Sequence, residues 1–198
     1  VDGKCPCGAT CSHTKWKNGV CIDCGKTCAH QNIDATDYTC STCGAAIAAK
    51  LTVNGSDTYY VGLADALNAA GDAGSGTCTV TLLRDANVSR VDGKGSIADA
   101  DAVIAPGHGR SDRVLSLNGH SITGGGMINA GRGGNKGCLT ITGGGDVKTE
   151  IVVNDGRLTL NAFTGTISTV TIDFGSISSD AGTTGRIGTL NMDSASSR

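Results

Sequence analysis

Aliphatic and polar residues alternate along most of the second half of the chain. In the phrase VLSLNGHSITGGG, over residues 114–126, Leu115 and Leu117 alternate with Ser116, and an Asn-Gly turn follows. This period of two is typical of a strand with one buried face. The same pattern recurs three more times, at residues 139–141, 158–160 and 170–172. The pattern predicts short strands separated by turns rich in glycine and asparagine.

The repeats have a regular spacing of 19 to 20 residues. Three strand or turn families show it: Leu139, Leu158 and Ile177; Ile151, Val170 and Leu190; and Gly145, Gly165 and Gly185. Strand and turn positions that advance together are typical of a solenoid. We therefore predict an all-β fold in which residues 78–198 form a parallel β-helix. Each strand pairs with its counterpart in the next coil, about 4.8 Å away, and we expect coils to continue beyond Arg198.

Residues 49–77 predict a hairpin and a helix that cover one end of this solenoid. Residues 51–53 and 58–61 flank an Asn-Gly turn, which is a common hairpin signal. Apolar residues then follow at helical spacing: Leu63, Ala66, Leu67 and Ala70. Gly71 is placed to end the helix. In the strand that follows, Val80 and Leu82 are predicted to share one face.

The composition limits which residue types can fill the hydrophobic core and which classes of partner the chain can bind. Aromatic residues make up 3% of the chain, so Val, Ile, Leu and Ala must supply the buried surface. The formal net charge is −2 with both signs spread along the chain, which gives no basis for binding nucleic acid. No apolar run approaches the ~20 residues of a membrane span, so we predict no membrane insertion.

Residues 1–48 carry eight of the ten cysteines and contain an internal repeat. Each unit has the form Cys-x-His followed by Cys-x2-Cys-Gly, and the two ligand sets are Cys11, His13, Cys21 and Cys24, and Cys28, His30, Cys40 and Cys43. Three thiolates and one imidazole are a common set for a closed tetrahedral zinc site. Four protein ligands leave no position for a catalytic water. We therefore predict a zinc-ribbon-like module with two structural zinc ions.

Disulfide bonding is the alternative for these cysteines, but it does not require a histidine at a fixed offset in both units. Cys5 and Cys7 resemble the tail of an earlier unit, and whether they bind a metal is left open. Cys78 and Cys138 stand apart from the repeat. We predict them to be reduced apolar fillers, because two coils would separate them by more than the ~7 Å limit for a disulfide.

Two stretches resemble known families. TYYVGLADALNAA, CTVTLLRDANV and VLSLNGHSITGG are similar to the capping helix, first strand and following coil of pectin-lyase-like right-handed β-helix domains in bacterial surface proteins. The cysteine-rich head resembles the CxxCG–CxH repeats that precede such domains in Gram-positive gut bacteria. The resemblance implies a right-handed β-helix in an extracellular protein attached to the bacterial cell surface, acting as an adhesin or a stalk.

Three functions are compatible with these features. A non-catalytic module binding a host glycan or host protein is favoured, because arginines cluster in sequence near a long insertion: Arg84, Arg90, Arg110, Arg113 and Arg132. A polysaccharide lyase or glycoside hydrolase needs paired acidic groups on one face, and the 19-residue register is expected to stack Asn154 on Asp173. The third possibility is a structural stalk segment of a longer surface protein.

Overall fold

The computed structural model describes residues 13–17, 20–73, 78–88, 103–104, 112–130 and 137–192. Within these ranges the protein is mostly β, with a single helix, α1 (Leu63–Asp72), between the fourth and fifth strands. The strands are β1 (Trp16–Lys17), β2 (Val20–Cys21), β3 (Ala49–Val53), β4 (Ser56–Tyr60), β5 (Cys78–Leu82), β6 (Ala86–Asn87), β7 (Val103–Ile104), β8 (Asp112–Ser116), β9 (Ile122–Thr123), β10 (Met127–Ala130), β11 (Cys138–Gly143), β12 (Glu150–Phe163), β13 (Thr166–Ser179) and β14 (Arg186–Met192).

Ten of the described strands form one large mixed sheet. Its order is β14-β13-β12-β11-β8-β5-β3-β4, and β10 joins it by pairing with β12 and with β7. All pairings from β5 to β14 are parallel, whereas β3 is antiparallel to both β4 and β5. The short pairs β1–β2 and β6–β9 lie outside this sheet. The antiparallel hairpin therefore stands at one end of a parallel stack.

The strands pair in the register that the sequence period predicts. Leu139 lies opposite Leu158, which lies opposite Ile177, and Ile151 is opposite Val170 in the same way. One inward column crosses four strands and consists of the buried residues Val80, Leu115, Ile141 and Leu160. Aliphatic residues thus stack on aliphatic residues from strand to strand, and this column belongs to the main hydrophobic core.

The long strands β12 and β13 bend in the middle, and the predicted stacking of Asn154 on Asp173 is wrong. The first half of β12 pairs with β10 and its second half pairs with β11. The register shifts on both sides of Asn154, so that Asn154 lies opposite Phe174. A bulge inserts an unpaired residue and turns the strand, and it displaces Asp173 by one position at this bend.

The predicted hairpin and helix are both present beside β5. Asn54 and Gly55, with φ of 49° and 83°, connect β3 and β4 in the way that a two-residue hairpin turn requires. Helix α1 buries the predicted apolar face. Gly71 does not end the helix, which continues to Asp72; Gly71 is itself buried, because a residue without a side chain fits into the packed face. In the described part of the chain, no helix is long and apolar enough to cross a membrane.

Candidate metal centres

The described parts of the two cysteine-rich units share the same turn at Cys-x2-Cys-Gly. In each, the glycine amide donates to the carbonyl of the first knuckle cysteine, over 2.8 Å from Gly25 to Cys21 and 2.7 Å from Gly44 to Cys40. Gly25 and Gly44 have φ of 72° and 69°, in the left-handed region where a side chain is strained. This conformation explains the glycine of Cys-x2-Cys-Gly, which turns the chain so that both sulfur atoms face one point.

The second unit brings all four predicted ligands together. The ligand atoms of Cys28, His30, Cys40 and Cys43 all lie within 4.8 Å of one another. The Sγ atoms of Cys28 and Cys40 are 3.7 Å apart, and Sγ of Cys43 is 3.5 Å from Nδ1 of His30. A tetrahedral ion with Zn–S bonds of ~2.3 Å and a Zn–N bond of ~2.0–2.1 Å places sulfur atoms about 3.8 Å apart and sulfur and nitrogen about 3.6 Å apart. The geometry of the four side chains therefore fits such an ion.

The same distances do not fit a disulfide, whose S–S bond is ~2.05 Å long. Among the described residues, no two cysteines are joined by a disulfide. The site is also enclosed, since Cys28, His30 and Cys40 are buried and Cys43 is half-buried. Enclosed donors that converge on one point are typical of a structural rather than a catalytic metal site.

The close approach of the side chains in the second unit shifts the pKa values of two of its thiols. Burial alone would raise the pKa of Cys40, but hydrogen bonds from the His30 side chain and from the backbone amides of Cys43 and Thr42 lower it from 9.0 to about 6. Burial raises the pKa of Cys43 to about 11, and the neighbouring thiols of Cys40 and Cys28 add to this rise. Thiols this close compete for ionisation, because two thiolates repel each other. A divalent cation between them would hold them as thiolates.

The first unit shows three of its four predicted ligands. His13, Cys21 and Cys24 lie together, and Sγ of Cys24 is 3.5 Å from Nδ1 of His13, the same distance as in the second unit. His13 and His30 share a left-handed backbone, with φ of 51° and 49°. Cys11 lies outside the described residues, so its role as the fourth ligand stays a prediction. Cys5 and Cys7 also lie outside them.

A buried isoleucine, which the sequence analysis did not single out, packs against the ligands of the second unit. Ile47 is fully buried and packs with Cys28, Cys40 and Leu83. It follows Cys43 by four residues, as Cys28 follows Cys24, so it occupies the place where another unit would put its next cysteine. The spacing of the cysteine repeat could have identified Ile47, because it marks the position at which the next cysteine is missing. An apolar residue at that place ends the series of ligands and begins a hydrophobic contact with the sheet.

Two of the five arginines predicted to bind a ligand lie in the described residues, and both bind backbone carbonyls. Arg113 is 1% exposed, and its Nε donates to the carbonyl of Ala70 over 2.6 Å. Arg84 is half-buried and donates to three carbonyls near the second metal centre. Both side chains therefore hold the protein's own elements together. Arg90, Arg110 and Arg132 lie outside the described residues, and for them ligand binding stays a prediction.

Cys78 and Cys138 lie on β5 and β11, with β8 between these two strands. Cys78 is buried, and burial raises its pKa although the nearby Arg113 acts in the opposite direction. Cys138 is half-buried. The two residues are not joined, as the sequence predicts, and Cys78 belongs to the main hydrophobic core.

Comparison of the chain with protein-family models, with curated proteins and with solved structures gives no match.

Proposed function

We propose that this chain is a non-catalytic module of an extracellular bacterial surface protein, in which a zinc-stabilised head precedes a right-handed parallel β-helix. The observation that carries the proposal is the enclosed donor set of Cys28, His30, Cys40 and Cys43. Four protein ligands fill a tetrahedral zinc ion and leave no position for substrate or water. Such a metal stabilises a fold and does not perform chemistry.

Zinc is the metal that this donor set favours. Thiolates select zinc, copper(I) or iron–sulfur clusters, and one imidazole with three thiolates at tetrahedral spacing is typical of structural zinc. The first unit repeats the arrangement with His13, Cys21 and Cys24. We therefore propose two structural zinc ions, one in each unit, with Cys11 completing the first.

The β-helix is supported by buried residues that face one core from three directions within a single repeat. Val147 bridges in parallel to Ile122 and to Ile167, Ile151 belongs to the part of β12 that pairs with β10, and Leu158 belongs to the part that pairs with β11. Val147, Ile151 and Leu158 are each fully buried in the same cluster. A chain that turns twice per repeat around one core, and pairs in parallel with the next repeat, describes a coil of a solenoid.

We propose that this scaffold binds a host glycan or a host protein through the segment between β5 and β8, residues 83–111. Rigid scaffolds usually carry recognition on such segments, and Arg90 and Arg110 lie here, while Arg132 lies in another connection. Changing Arg90, Arg110 and Arg132 together to serine is expected to weaken the binding of glycans or mucus proteins by tenfold or more, on the order of 1.4 kcal/mol. Glycan arrays and quantitative pull-down from mucus measure this.

The matched control changes three exposed cations outside this segment to serine and removes the same charge: Lys26, Lys148 and Arg186. It is expected to bind like the wild type. Equal weakening in both variants would mean non-specific attraction and would contradict the proposal, as would a complete lack of ligands. Release of reducing sugars from pectin or host glycans would favour the polysaccharide lyase or glycoside hydrolase instead.

A second candidate function is structural, and the exposed apolar residues of β14 favour it. Leu190 and Met192 are 46% and 71% exposed, although their partners in β13, Val170 and Ile172, are 0% and 5% exposed. The two buried columns thus continue onto a strand that pairs with β13 alone among the described strands. An edge of this kind accepts a further strand, which the next coil of a longer stalk supplies in the parent protein and a second copy can supply to the isolated chain.

The structural candidate predicts self-association through β14. Leu190→Lys combined with Met192→Glu is expected to convert dimers or larger assemblies into monomers, because the two charges cannot be buried against a second copy. Sedimentation velocity over a range of concentrations measures this. The control, Ser176→Lys with Ser178→Glu on exposed positions of β13, is expected to keep the wild-type assembly. A wild-type chain that stays monomeric at high concentration would exclude this mode of assembly.

A further inference from the structure

Arg84 binds three carbonyl oxygens that flank the second metal centre. Its Nε donates to Ile47 over 2.8 Å, and one Nη donates to Asp37 over 2.6 Å and to Tyr38 over 3.1 Å. Asp37 and Tyr38 lie between the ligands His30 and Cys40, while Ile47 lies after the last ligand, Cys43. One guanidinium just after β5 therefore connects the sheet to a loop between two of the ligands and to the segment that follows the last ligand.

The two carbonyls before Cys40 exist because the second unit is longer than the first. In the first unit, β1 and β2 pair Lys17 with Val20, which are separated by two residues in the sequence. In the second unit, the amide of Asp34 donates to Thr39 over 2.9 Å, so the four residues 35–38 form the loop. The two additional residues enlarge the loop that presents Asp37 and Tyr38 to Arg84.

This loop is held in one conformation by its own hydrogen bonds. Tyr38 has φ of 53°, a left-handed conformation that is uncommon for a residue with a side chain. Its amide donates to Asp34 over 2.9 Å, and its carbonyl accepts from Ile47 over 2.8 Å as well as from Arg84. The loop thus connects Arg84, Ile47 and the segment that leads directly to Cys40, and movement of this ligand would disturb all three.

Apolar contacts reinforce the same junction. Leu83, which precedes Arg84, is buried in one cluster with Ile47, and the half-buried Tyr59 of β4 packs against this cluster. The amide of Leu83 donates to Ala48 over 3.0 Å, and that of Ala48 donates to Tyr60 over 2.8 Å. The segment after Cys43 is therefore hydrogen-bonded directly to the hairpin end of the sheet.

We propose that Arg84 is a positioning residue that couples the second metal centre to the sheet. Metal bound by Cys28, His30, Cys40 and Cys43 fixes the loop 35–38 and the segment around Ile47, and Arg84 transmits this order to β5. The three carbonyls that Arg84 binds belong to the second unit and to the segment after it, so the first metal centre does not stabilise the sheet in this way. The inference rests on the zinc binding proposed above and adds that only one of the two ions supports the sheet.

The experiment measures amide hydrogen exchange in β5 with and without zinc, together with the zinc content of the same samples. In the wild type, zinc is expected to slow exchange in residues 78–82 by about tenfold or more. Arg84→Met keeps the length of the side chain but loses its donors. This variant is expected to bind two zinc ions while losing most of the zinc-dependent protection of β5. Arg84→Lys keeps the charge but places a single nitrogen where the guanidinium offers several, so it cannot bind all three carbonyls. This variant is expected to retain less than half of the zinc-dependent protection of β5, expressed as the logarithm of the exchange rate.

Two further observations separate the possible outcomes. Cys24→Ser disables only the first centre, and it is expected to leave the zinc-dependent protection of β5 at the wild-type level. Arg84→Met with two zinc ions and full protection would overturn the coupling while leaving zinc binding intact. A wild type that binds no zinc would instead overturn the proposed metal centres and the coupling together. Should Arg84→Met fail to fold, Arg84→Lys decides, and unchanged protection in that variant would overturn the proposal.

Discussion

Replacing Cys40 with serine is expected to remove one zinc ion per chain and to unfold the second cysteine-rich unit. Cys40 is fully buried, and its Sγ lies 3.7 Å from that of Cys28, so a hydroxyl at this place gives a weaker ligand in a site that excludes water. Structural zinc contributes ~10–16 kcal/mol to folding in zinc-finger peptides at pH 7. Loss of one of four ligands is expected to remove several kcal/mol of this stabilising free energy. Zinc titration and limited proteolysis of residues 20–48 measure the loss.

Cys138→Ser is the matched control, because Cys138 is half-buried on β11 and belongs to neither ligand set. This variant is expected to keep two zinc ions and the wild-type resistance to proteolysis. Cys40→Ser with full zinc content and an intact second unit would show that the four side chains do not act as a ligand set.

Replacing Gly165 with alanine is expected to destabilise the stacked sheet by at least about 3 kcal/mol. A Cβ at Gly165 would overlap the backbone carbonyl of Gly145 on the neighbouring repeat, and one at Gly185 would lie 2.6 Å from the carbonyl of Gly165. The backbone of Gly145 cannot move away from a side chain at Gly165 without disturbing the parallel bridge between Val147 and Ile167. Urea denaturation followed by circular dichroism measures the free energy of unfolding.

Gly125→Ala is the control for this prediction, because a Cβ at Gly125 would meet no atom within 4 Å and its φ is not in the left-handed region. It is expected to change the free energy of unfolding by less than about 1 kcal/mol. Equal effects of the two substitutions would contradict the stacking of turn glycines from one repeat to the next.

The sequence was sufficient to predict the register of the parallel strands. Inward positions such as Leu139, Leu158 and Ile177 repeat at a constant spacing, and parallel strands of a repeat pair each residue with its counterpart. The clusters of candidate metal ligands were predictable for a similar reason. Metal ligands need fixed spacing and few residue types, so Cys28, His30, Cys40 and Cys43 are recognisable without any knowledge of the surrounding fold.

The features that sequence could not predict depend on contacts between distant segments. The bulge beside Asn154 shifts the register by one residue, and a bulge leaves little trace in a pattern of alternating residues. From the sequence, Arg84 was predicted to be one of several arginines that bind a host glycan or host protein. Its role depends on carbonyls about 37 to 47 residues away in sequence, and every residue type offers a carbonyl. Arg113 is a similar case, because its Nε donates to the carbonyl of Ala70, 43 residues away in sequence.

The central claim is that closed zinc centres hold the N-terminal module, and X-ray absorption at the zinc edge with elemental analysis tests it most directly. Protein prepared in zinc-containing medium is predicted to retain two zinc ions per chain. Each ion is predicted to have three sulfur neighbours at ~2.3 Å and one nitrogen neighbour at ~2.0–2.1 Å. Protein that retains no zinc, with the cysteines between Cys21 and Cys43 joined as disulfides in mass spectra, would contradict it.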